Sequence, residues 1–403
     1  MNRPLIRILR LAFMIAACSL LTAGCWSRIE INDRAFVTAM YVDDAGEGRV
    51  KVSLGFPLPN RLVQGQAGGV SSEGNPYTHV TKEGNTIAEA VKRIQNDLPR
   101  ELNWGNNRVI VISSEYAKKG ILPLLEFVGR MPYQQLKTYL FVSEGEAENV
   151  PRMSAVFERF PSEVLREFAR TRTTLNTTLR DLMSVHPYGG DLTIGLLRVD
   201  EEIMASEKNQ TGHWVGTKGA ALFKDYRLIG KFNEEQTQGA LWIMNRMKSA
   251  VLKVSSPSDG KAITLDIISS QSQVKPVWKQ DELVFQLKIA LEAHLLASDS
   301  KLKITDPGNI VQLQQSMKDE VEKIVRQAFD ESLKIGADMF KLGEIAELYY
   351  PDRFAGIKKD WQSYYARHAD LKMNIQAHIK RPGGEQEPMR PEYSRNEEVH
   401  GGS

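Results

Sequence analysis

The chain has 403 residues, 42% hydrophobic and 25% charged, with 52 lysines and arginines against 50 aspartates and glutamates. That is enough apolar sequence for two or three globular domains. The near-balance of charge, formally +2, argues against nucleic acid as a partner and against binding anionic lipid by charge alone.

Arg3, Arg7 and Arg10 precede an apolar run over residues 11–21 that is too short to span a bilayer as a stable helix. Residues 1–24 therefore read as a secretion signal. Leu21, Ala23 and Gly24 ahead of Cys25 resemble the lipobox of bacterial lipoproteins, in which the cysteine thiol takes a diacylglycerol and becomes the new N-terminus. The alternative is a plain secretory signal with an incidental cysteine. Two acyl chains, each stabilised by about 0.8 kcal/mol per buried CH₂, suffice to hold a protein at a membrane. Removing the signal takes 52 basic residues to 49 against 50 acidic ones, near −1, and removes Cys18. Cys25 is then the single thiol, no intrachain disulfide can form, and stability must come from a packed core.

Little spacer separates Cys25 from the first strand, expected over residues 35–42, so the first domain sits close to the bilayer. Residues 43–48 supply turn formers, and Val50, Val52, Leu54 and Phe56 alternate as in a half-buried strand. Residues 57–75 read as a long mobile loop. Thr86 and Glu89 have capping-box spacing before a helix ending near Leu98. A buried strand is expected over 109–112, a helix over 120–130 and a strand over 138–142. Helical stretches follow near 153–160 and 164–171, then a turn over 187–190. Such alternation points to mixed α/β layers. The polar segment 201–212 reads as the interdomain linker.

The second half opens with a hairpin, 219–223 and 228–232, and an amphipathic segment over 234–247. Strands are expected at 263–268 and 283–296. Asp306-Pro307 suits a helix start, and Ile310, Leu313, Met317, Val321, Ile324, Val325 and Ala328 mark one face of a long helix. A closing strand alternates through Leu371, Met373, Ile375, Ala377 and Ile379, and the Pro/Gly/Glu-rich end reads as disordered. The expected division is 25–205 for an N-terminal α/β region of one or two subdomains, 206–382 for a C-terminal α/β domain and 383–403 for a tail.

No catalytic device stands out: there is no Gly-x-Ser-x-Gly elbow, phosphate-binding glycine loop, His-Glu-x-x-His or Cys-x-x-Cys. The seven histidines have no metal-ligand spacing, and His378 falls on the polar side of the closing strand. Asp43 and Asp44 form a conceivable carboxylate pair, but their place suggests local bonds that fix a turn. An enzyme, a cofactor and a metal are accordingly not expected. Trp104, Trp242 and Trp361 read as core residues, while Trp26 beside the lipid suits a membrane interface.

Several stretches together resemble the Ger(x)C family, the C subunits of spore nutrient-germinant receptors. They are Gly24-Cys25-Trp26 running into Glu30-Ile31-Asn32-Asp33-x-Ala35-Phe36-Val37; Ala90-Val91-Lys92-x-Ile94-Gln95-x-x-Leu98-Pro99; Arg108-Val109-Ile110-Val111-Ile112; Lys119-Gly120-Ile121; and Thr138-Tyr139-Leu140-Phe141-Val142. In the second half they are Gly219-x-Ala221-Leu222-Phe223, Gly239-x-Leu241-Trp242 and Gly336-Ala337-Asp338-Met339-Phe340-x-x-Gly343, followed by Trp361. Departures are Ser27, where the family commonly has an acid, and Met339-Phe340-Lys341-Leu342-Gly343 in place of a pattern nearer Phe-Gly-x-Gly. The resemblance implies an elongated α+β lipoprotein of two to three mixed α/β domains, each on its own largely antiparallel sheet with packed helices. It implies lipidation at Cys25, a place on the outer face of the spore inner membrane, and work beside integral-membrane A-type and B-type receptor subunits without catalysis. A solute-binding lipoprotein serving a transporter is the competing reading.

Overall fold

The computed structural model describes residues 12–14, 30–62, 74–155, 157–171, 174–204, 210–280, 282–303 and 306–381. Cys25, Trp26, most of the loop expected over 57–75 and the 383–403 tail lie outside them. The elements run β1 (Arg34–Phe36), β2 (Ala39–Gly46), β3 (Arg49–Pro57), α1 (Pro59–Leu62), β4 (Tyr77–Gly84), α2 (Ile87–Asp97), β5 (Glu101–Asn103), β6 (Val109–Ser113), α3 (Ser114–Lys119), α4 (Leu122–Arg130) and β7 (Tyr139–Ser143). They continue with α5 (Pro161–Thr171), α6 (Leu179–Ser184), β8 (Leu192–Met204), β9 (Gln210–Lys224), β10 (Arg227–Phe232), α7 (Glu234–Ile243), β11 (Ala250–Ser255), β12 (Ala262–Lys279) and β13 (Glu282–Ser298). The last are α8 (Pro307–Ile335), α9 (Leu342–Tyr349), α10 (Pro351–Ala355), α11 (Trp361–His368) and β14 (Asp370–Arg381).

An eight-stranded sheet has the order β10-β9-β8-β7-β6-β2-β3-β4. Its centre, β2, β6, β7 and β8, is parallel, and antiparallel pairs flank it on both sides. Both faces are covered, which is why β6 is an unbroken apolar run. Ile110 and Ile112 enter one core with Met40, Val52 and Leu54, while Val109 and Val111 enter the opposite core with Tyr41 and Phe141. The four-stranded sheet, β11-β12-β13-β14, packs one face only. Leu283, Phe285, Leu287, Ile289 and Leu291 of β13 point into the largest core, and Gln271, Gln273, Lys288 and Gln376 lie exposed on the other face. The fold is mixed α+β.

Helix α8 carries the predicted stripe, with Leu313, Met317, Val321, Ile324, Val325 and Ala328 buried. It meets α7 at Gly239, where a Cβ would stand 2.5 Å from the Ile324 carbonyl oxygen and 2.8 Å from the Ala328 Cβ. Only a hydrogen side chain lets the two helices approach this closely. At α2 the Thr86 hydroxyl accepts from Glu89 N at 3.1 Å, but the Glu89 carboxylate bonds Asn85 N, one residue before the expected partner.

Three expectations are corrected. Segment 201–212 is no linker in its described part: Glu201 to Met204 pair with His213 to Gln210 as the outer end of the β8–β9 hairpin. Strands β9 and β10, beyond residue 205, belong to the eight-stranded sheet, and Ala220, Leu222 and Phe232 send side chains into the largest core. The helix expected near 153–160 is absent among the described residues; a 3-10 turn over Ala147–Arg152 precedes it. Asp43, 2% exposed, creates that turn by accepting from Ala147 N at 2.6 Å and Glu148 N at 3.0 Å. Its burial pushes the carboxyl up while these bonds oppose the shift. Asp44 pairs with Lys119 at 2.7 Å, so neither aspartate fixes its own turn. The helix expected over 120–130 is present as α4, starting two residues later, with Gly120 and Ile121 separating it from α3.

Candidate functional site

The residues quoted for the Gly336–Gly343 resemblance fold into a cradle around one carboxylate. Asp338 is 4% exposed. Its Oδ1 accepts from Phe340 N at 3.2 Å and Leu342 N at 2.9 Å, and its Oδ2 from Gly343 N at 2.7 Å and Trp361 Nε1 at 3.0 Å. The carboxylate thereby takes up donors at the start of α9 and ties that helix to α11. Gly343 makes this possible: a Cβ there would stand 2.6 Å from Trp361 Nε1. Burial pushes Asp338 above the usual carboxylate range, and the four donors hold it back.

The cradle is fastened to the eight-stranded sheet by a second buried acid. Asp191, 3% exposed, stands just before β8. Its Oδ2 accepts from Asp338 N at 3.1 Å, and its Oδ1 from Gln362 Nε2 at 2.7 Å and Asp225 N at 3.3 Å. One carboxylate thus joins β8, the β9–β10 turn, the α8–α9 connection and α11. Burial, and then the nearby Asp338 charge, push Asp191 up to about 7 against the pull of its donors.

Two further ion clusters span the same junction. Asp181 of α6 accepts from Lys341 Nζ at 2.7 Å and Arg246 Nη2 at 3.0 Å. Burial opposes its charge, but the two cations and Thr178 more than offset that and hold it at about 2. Glu347 of α9 takes Lys358 Nζ at 2.8 Å and the Tyr188 hydroxyl at 2.5 Å, and these bonds keep its carboxyl low. Between the clusters opens a cleft of about 620 Å³, walled by Tyr188, Met244, Arg246, Lys341, Glu344 and Leu348 among others.

The arrangement joins two sheets through buried charge. Its acids are occupied by main-chain amides and cations, and among the described residues no group of three or more His, Cys, Asp or Glu is placed to hold a metal. Trp104, Trp242 and Trp361 are buried as expected, and His378 is exposed. His186 instead bonds the Tyr226 hydroxyl through Nδ1. Sequence reasoning passed over Asp181, Asp191, Arg246 and Gln362, and took Lys341 only as part of a departure from the family pattern. The one local signal was an acid, Asp191, set between Gly189-Gly190 and an apolar strand.

Comparison with known proteins agrees with the fold. A family profile described as "Spore germination protein N-terminal domain" matches residues 27–199, and one described as "Spore germination B3/ GerAC like, C-terminal" matches residues 218–383. The chain is similar to YfkR of Bacillus subtilis strain 168, with 26% identity over 353 residues covering 86% of this chain and 90% of that one. Spore germination protein KC of the same bacterium is 19% identical over 404 residues (96% and 99%), and spore germination protein B3 is 21% identical over 368 residues (87% and 92%). The crystal structure of the GerBC protein superposes with a TM-score of 0.52 at 18% identity, covering 85% of this chain and 97% of that one. With both halves matched in order, the chain belongs to the Ger(x)C family of spore germination proteins.

Proposed function

We propose that the protein is the lipid-anchored, non-catalytic C subunit of a spore nutrient-germinant receptor. It is held by Cys25 on the outer face of the inner membrane and acts in receptor assembly or signal transmission beside two integral-membrane subunits. The observation that carries the reading is the family match over both halves, whose first matched residue lies two positions after Cys25. Among the described residues no helix is long and apolar enough to cross a membrane, so the lipid would supply the attachment. The buried-charge junction suits such a role: it couples the sheet that follows the anchor to the C-terminal sheet, so that a force on one reaches the other.

The test is to tag the C-terminal tail, solubilise the spore inner membrane gently and identify what co-purifies. Two integral receptor subunits should be recovered from the wild type and lost with Cys25→Ala. Normal membrane retention of that variant refutes the anchor. Recovery of an uptake transporter instead would favour a solute-binding lipoprotein.

A further inference from the structure

We infer that the cavity at the carboxyl ends of β2, β4 and β6 binds a small organic anion with an apolar body. The chain leaves β2 toward β3 and β4 on one side, then returns through α2 to β6 on the other. The order of strands therefore reverses between β2 and β6. In open sheets with parallel strands, such a reversal leaves a crevice at the carboxyl ends where ligands bind. The structure has a cavity of about 790 Å³ there, within the range of small-molecule sites.

The walls are apolar, and the rim carries four cations, of which Arg227 is left without an ion-pair partner among the described residues. Val50, Ile87, Leu122, Pro123, Phe127 and Met131 line the interior. The first turns of α2 and α4 both border it, and the N–H groups of Ile87, Ala88 and Leu122 have no partner among the described residues. Arg49, Lys119 and Arg130 on the rim are matched by Glu83, Asp44 and Glu126. The rim's remaining acid, Asp225, accepts from Gln362.

An independent feature points to an occupant. Tyr116 lines the cavity and is only 8% exposed, yet its hydroxyl has no hydrogen-bond partner among the described residues. Buried phenols ordinarily find a partner. The hydroxyl is covered in the free protein, so a bound carboxylate that displaces its cover would supply the missing acceptor while also meeting the helix amides. The setting among the β2–β3 turn, α2, α4 and the β9–β10 turn suits a compact molecule. This proposal stands apart from the receptor reading, since neither needs the other.

The experiment is calorimetric titration of the full chain carrying Cys25→Ala with 4-phenylbutyrate, its uncharged amide and the corresponding amine. Saturable binding of the carboxylate is expected, at least about tenfold tighter than either analogue because they lose the charge-assisted bonds. Leu122→Trp, which fills a partly exposed part of the wall, should abolish binding with the thermal midpoint kept. Arg227→Glu should weaken it severalfold. Tyr116→Phe should weaken binding while leaving stability level or raised, because the hydroxyl has nothing to lose in the free protein. No saturable binding in the millimolar range, or binding unchanged by Leu122→Trp, overturns the site. Equal binding of the amine overturns the anion. Destabilisation by Tyr116→Phe with unaltered binding shows that the hydroxyl belongs to the fold and not to a ligand.

Discussion

Asp338→Asn is nearly isosteric, yet the geometry predicts a large loss. Each carboxylate oxygen accepts two N–H groups. An asparagine has one oxygen and one NH₂, so either orientation of the amide turns its own donors against two others. Two bonds to a charged acceptor are lost, at about 1.5–3 kcal/mol each, and two buried donors go unsatisfied. Relief from burying a charge offsets part of this, which leaves a net destabilisation of about 3–5 kcal/mol. Urea denaturation followed by fluorescence measures it. Asp338→Ala should fall within about 1 kcal/mol of Asp338→Asn, since what the amide oxygen keeps its nitrogen cancels. A loss below about 1 kcal/mol for the asparagine variant, or an alanine variant far worse, would refute the claim that the carboxylate itself organises α9 and α11.

Two further outcomes follow from the same structure. Asp191 has its folded-state value raised to about 7 from an unfolded one near 4, so its ionisation costs stability as pH rises through that window and costs nothing below it. Wild type should therefore lose up to about 4 kcal/mol relative to Asp191→Asn between roughly pH 4 and pH 7, read as the difference between their urea midpoints; a pH-independent difference sinks the assignment. Gly239→Ala gains about 1 kcal/mol of helix propensity but puts a Cβ 2.5 Å from a backbone oxygen that cannot swing aside. Overpacking should win, for a net loss of about 1–2 kcal/mol, and a stabilised variant in thermal melts would show that α7 and α8 part easily.

By itself the sequence determined what depends on neighbours along the chain. Periodicity marked β3, α2, α8 and β14, because burial on one face imposes its repeat locally. The lipobox resemblance singled out Cys25, and spaced motifs named the family. Even the key residues of the cradle, Asp338, Gly343 and Trp361, were among those quoted. What they do to one another was not legible. Asp191 meets Asp338 across 147 residues, Lys341 meets Asp181 across 160, and Asp43 starts a 3-10 turn across 104. No local pattern encodes such pairs, since a buried acid and its donors need match only in space. The segment taken as a linker misled for the same reason: its polar composition suits solvent, and only pairing with a second strand turns it into a hairpin. Composition told which residues tolerate water, and tertiary packing decided which buried charges hold the two sheets together.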